Sequence, residues 1–130
     1  MTETTTQQDL KAIYTMDMHS AYEAARVGKF SINAFGRLAA AITVVRSALE
    51  ASKENSLGAI DTLDSTITTL QAIRQRGDLT NVWGITDSER PAIKAGVNMA
   101  EQCLNTLDVN LLGQTALRLL QELTADSAAS

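Results

Sequence analysis

The chain has 130 residues and a mass of 13.9 kDa, enough for one domain with a hydrophobic core and too few for two. Hydrophobic residues make up 45% and charged residues 20%, close to the globular average, which excludes wholesale disorder. Acids outnumber bases 15 to 11, for a net charge of −4 and a pI near 4.9, and this argues against a nonspecific grip on nucleic acid, which needs a basic face to displace counterions.

Residues 1 to 6, rich in threonine, read as a frayed lead-in, and residues 7 to 125 as one helical domain. The first helix is expected from about Gln7 to Val27, with Leu10, Ile13, Tyr14, Met18, Ala21, Ala24 and Ala25 on its apolar face and Gly28 as its C-terminal cap. Asp17 falls inside that stripe, and His19 lies opposite it, as a solvated side chain. After Lys29 and Phe30, Ser31 is suited to cap a central helix that runs to about Ala51. Phe35, Leu38, Ile42, Val45 and Leu49 line one face of it, while Gly36, Ala40, Thr43 and Ser47 form a row of small residues behind, suited to close approach by a second helix.

Residues 52 to 55 form the next turn. The third helix, about Ser56 to Arg76, presents Leu57, Ile60, Leu63, Ile67, Leu70 and Ile73, and ends in basic residues and Gly77. Residues 77 to 86 make the one long connection and carry the only tryptophan, Trp83. Thr86 and Glu89 have the spacing of a capping box, and Pro91 is tolerated in the first turn that follows. The fourth helix shows Ile93, Val97, Ala100, Leu104 and Leu107; after a break near Asp108 the last shows Leu112, Ala116, Leu119, Leu120 and Leu123, before a frayed tail over residues 126 to 130. Short links favour antiparallel neighbours, so the expected fold is an all-α antiparallel bundle of about five helices.

Motifs for catalysis are absent: the sequence holds no HExxH, GxSxG, P-loop or paired-cysteine motif, and no cofactor is implied. One cysteine and one histidine make a poor metal set, so no metal site is expected; Cys103 borders the apolar face of helix four and reads as a small core residue. Unpaired cysteine usage and a polar N-terminus without signal-peptide character point to a reducing, cytoplasmic setting, and no apolar run reads as a membrane span. Asp61 and Asp64 share a helix face at i, i+3, a spacing that ordinarily faces water.

The oddities are polar residues in apolar stripes. Asp17 needs a partner, an edge or a cavity. Arg74 stands where another aliphatic residue would continue the Leu63, Ile67, Leu70 face, and Arg46 borders the stripe of the central helix. These three residues define an expected ion pair, Asp17 with Arg46 or Arg74, or alternatively a polar pocket for an anion. Trp83 either plugs the open end of the bundle or anchors a protein interface, with Arg74 and Arg76 on the same side. Leu111 and Val44, off their main stripes, leave apolar area for a homo-oligomer contact.

The order of features carries a resemblance: a short helix ending in a polar turn, Phe35 with Leu38 and Ala39 in the central helix, a third helix closing on IRQRG, a tryptophan in the following loop and a Thr-led helix. Residues 24 to 123 are in this respect similar to a group of small uncharacterised helical proteins carried on phages and plasmids of proteobacteria. The resemblance implies a mobile-element accessory protein that binds a host partner, and it carries no catalytic residue across. A non-enzymatic protein-interaction module is therefore the leading expectation. The alternative is a binder that sequesters an anionic nucleotide between helices or subunits, and a DNA-binding regulator is disfavoured by charge.

Overall fold

The computed structural model describes the backbone of residues 2–52 and 57–129 and the side chains of residues 10–52 and 58–122. Five helices and no strand occur among the described residues: α1 (Thr2–Arg26), α2 (Ile32–Ala51), α3 (Leu57–Thr80), α4 (Arg90–Thr106) and α5 (Val109–Ala129). This is the expected all-α bundle. α2 touches each of the other four helices, which makes it the central element. α1, α2, α3 and α4 form a four-helix ring with α2 meeting α4 across its middle, and α5 lies outside, against α1 and α2. No approach between α3 and α5 occurs among the described residues.

The core follows the helical periodicity. Met18, Leu38, Ile42, Leu63, Ile73, Ile93, Leu104 and Leu112 are fully buried and come from all five helices. The cap residues act as their chemistry requires: Gly28 takes φ +77° to end α1, and Ser31 Oγ accepts the Ala34 amide at 3.2 Å at the start of α2. Asp108 Oδ2 accepts the Leu111 amide at 3.0 Å and so opens α5. Lys11 Nζ donates to the Leu107 carbonyl at 2.6 Å, tying α1 to the C-terminal end of α4.

Several boundaries differ from expectation. α1 begins at Thr2 and α5 continues to Ala129, because neither end holds a glycine or proline to stop a helix. α3 runs past Gly77 to Thr80 and turns at Asn81, whose φ of +58° and backbone N–H donating to the Gly77 carbonyl at 2.7 Å reverse the chain. Of the turn expected over residues 52 to 55, all but Ser52 lies outside the described residues, as do the side chains of Leu57 and Leu123. Ile13 is exposed rather than buried, and so is Leu120, because α5 faces the bundle through Leu112, Thr115 and Leu119.

α2 departs most from its sequence reading. By length and composition it is the one described helix apolar enough to cross a membrane. Within the bundle that apolarity goes into seven buried residues, Val44 among them, so Val44 leaves no exposed apolar area for an oligomer contact. The small row behind them, however, receives no helix: a Cβ added to Gly36 would meet nothing within 4 Å. The close helix approach occurs elsewhere, between α3 and α4, where a Cβ at Gly96 would stand 2.1 Å from Thr66 Oγ1. Thr66, fully buried, is bonded to the carbonyls of Thr62 (3.1 Å) and Ala92 (3.0 Å), so its hydroxyl is satisfied inside the core.

Candidate functional site

The sequence-derived residues separate into three places. Arg76 is a structural clamp on the connection between α3 and α4. Its guanidinium grips Glu89 with both arms, at 3.0 and 2.8 Å, and donates to the Gly84 carbonyl at 2.9 Å. Glu89 also closes the capping box: its Oε1 accepts the Thr86 amide at 3.0 Å, and its own amide donates to Thr86 Oγ1 at 3.3 Å. The guanidinium and, after it, the Thr86 donors hold the Glu89 carboxyl below the usual carboxylate range. Ahead of α4, Thr86 and Glu89 organise a turn rather than helix, so α4 itself starts at Arg90 with Pro91 in its first turn.

Trp83 folds back from the Asn81 reversal onto Gly77, where a Cβ would stand 2.6 Å from the indole. Its ring also meets Phe35 at 5.2 Å between centroids with a 47° tilt. Half-buried, it closes the end of the bundle where α2 begins and α3 ends. Gly77 thus stays inside α3 because the indole needs the space its missing side chain leaves.

Asp17, Arg46 and Arg74 are not brought together. Arg46 joins α2 to α3 through Asp64, at 2.8 Å from Nε, and pairs with Glu50 one turn on. Arg74 is 70% exposed and, among the described residues, reaches only Asp78, at 3.7 Å. Asp17 forms no ion pair among the described residues and faces a cavity of about 330 Å3 between α1 and the start of α2. Lys29, Arg37, Ser31 and Asn33 line the same cavity. The expected ion pair therefore fails because α3 attaches to α2 on the side away from α1, and Asp64 reaches Arg46 first.

The remaining polar candidates are structural. His19 Nε2 meets Glu101 Oε2 at 3.0 Å across α1 and α4, a partner 82 positions away that local spacing does not reveal. Burial raises the Cys103 thiol, which leaves it protonated in the core as expected. No group of three metal-ligating side chains occurs among the described residues.

What the local patterns missed is a groove. Gly36, Ala40 and Thr43 of α2 form its floor, Leu117 and Leu120 of α5 one wall, and Arg74 of α3 the other rim, enclosing about 630 Å3. Leu117 and Leu120 are 55% and 60% exposed. Tyr14 closes the α1 side, its hydroxyl raised by burial and then by the Asp17 charge. The sequence signal was present as two separate facts: a row of small residues on α2 and leucines on two sides of α5. Their juxtaposition depends on α5 stopping short of α3. No protein-family model matches the chain, and neither a curated protein nor a solved structure is found similar to it.

Proposed function

We propose that the chain is a non-enzymatic protein-interaction module whose docking surface is the outward face of α2 between α3 and α5. The observation that carries this reading is the open groove itself: a helix-wide channel with an apolar and small-residue floor, two exposed leucines on one wall and a single cation on its rim. Such a channel suits the apolar face of a helix with an acidic or polar edge toward Arg74. Of Trp83, Arg74 and Arg76, Arg74 is the one available to a partner directly, while Trp83 and Arg76 hold that end in shape. A cytoplasmic accessory role on a phage or plasmid, directed at a host protein and carried out by a self-associating chain, is consistent with the resemblance that residues 24 to 123 carry.

A photo-reactive amino acid placed at Thr43 tests the reading against the same group at Gln102, exposed on α4 across the core. Adducts of one defined polypeptide mass at position 43, absent at position 102, are the expected result. Equal labelling at both positions, or none at either, counts against a dedicated surface.

One observation favours a second reading, a binder of small anions. Lys29 and Arg37 carry no ion pair among the described residues and share the cavity beside the start of α2. On this reading an anion would meet Lys29 and Arg37, with the Asp17 carboxylate in the same cavity, rather than Arg46 and Arg74. A rise in melting temperature with added nucleotide, lost in Arg37→Ala, supports that reading; no shift at millimolar nucleotide eliminates it.

A further inference from the structure

We infer that the groove is filled by a second copy of this chain, in a two-fold contact centred on Ala40. The inference rests on the docking reading above and names its occupant. α2 is the most apolar helix among those described, yet its row of Gly36, Ala40 and Thr43 stays uncovered within one chain. A two-fold contact brings the residues at the axis against their own copies, so any charge there repels itself. The outward row of α2, Gly36, Ala40, Thr43 and Ser47, carries none. At its margins Glu50 shares Arg46 with Asp64, Arg74 stands 3.7 Å from Asp78, and Arg37, one turn before Ala40 and without an ion pair among the described residues, lines the cavity on the α1 side. In a chain of net charge −4, an uncharged row avoids direct charge repulsion at such an axis.

Shape and size agree. The same patch offers both projections, Leu117 and Leu120, and a floor short enough to receive them, which is what an isologous contact requires of one surface. The 20 residues of α2 span about 30 Å. Three helices side by side, at about 9 Å spacing, present a face roughly 20–25 Å wide. The product, roughly 600–750 Å2 per copy, approaches the about 800 Å2 per partner of a standard stable interface.

Sedimentation equilibrium of the full chain at micromolar concentration, with the Ala40→Glu and Leu120→Glu variants beside it, tests the inference. Both positions are exposed within one chain, so circular dichroism and melting of the variants should match the parent. The expected result is a parent assembly of twice the 13.9 kDa chain mass and self-association weakened by on the order of a hundredfold in each variant. Ala40→Cys should also form a disulfide-linked dimer on mild oxidation, because the axis brings position 40 beside its own copy. A parent that sediments as a single chain overturns the inference, as does a dimer that survives both glutamates. If that single chain still forms the adduct at Thr43 with another polypeptide, the docking surface stands and only its occupant is wrong. If the adduct is missing too, both fall.

Discussion

Gly96 and Thr66 show how far single residues decide this fold. A methyl on Gly96 would collide with the Thr66 side chain, its three nearest atoms all within 2.6 Å, so α3 and α4 must separate to admit it. Gly96→Ala should cost about 1–3 kcal/mol by chemical denaturation, and Thr66→Ala in the same chain should return part of that loss by clearing the space. Glu89 is a partly buried residue through which stability depends on pH. Its folded carboxyl titrates below its unfolded value because Arg76 grips it, so the stabilisation is present above the unfolded value and is lost as pH falls through the folded one. Glu89→Gln should therefore destabilise by about 1–2 kcal/mol near neutral pH, with the difference from the parent shrinking below about pH 4. A penalty that stays constant across that range would mean the charge of Glu89 is not what matters.

At the scale of elements, the legible features were those written locally. Gly28 and Ser31 each take the role their spacing implies, and the Thr86 and Glu89 pair forms its reciprocal bonds within a few residues, although they shape a turn ahead of α4 rather than its first turn. Gly77 was misread for a physical reason: glycine after a basic turn resembles a helix stop, whereas here it makes room for an indole six residues ahead. Gly77→Ala should push Trp83 off α3, shifting its fluorescence emission to the red and lowering stability by about 1–3 kcal/mol. Unchanged emission would show that the ring has another seat. The polar oddities were harder to place, because charge pairing is settled by which helices adjoin. Arg46 finds Asp64 on α3, and Asp17 is left on the opposite side with Lys29 and Arg37.

For the molecule as a whole, periodicity sufficed for five helices and for most of the core, since burial of an apolar stripe needs only some partner. It did not show that α5 would lie on α2 and leave a channel before α3, because that depends on packing among helices distant in sequence. The groove follows from that gap. The small row of α2 was expected to receive a second helix; no described helix of the same chain takes it, and the proposed dimer fills it instead.

Methyl NMR with a soluble paramagnetic probe examines this claim most directly. At a concentration where the chain is assembled, the account predicts that Leu117 and Leu120 methyls are shielded from the probe, whereas those of Leu79, 86% exposed at the far end of α3, are broadened. Leu117 and Leu120 methyls as broadened as those of Leu79 at every concentration would contradict it, leaving the outward face of α2 bare.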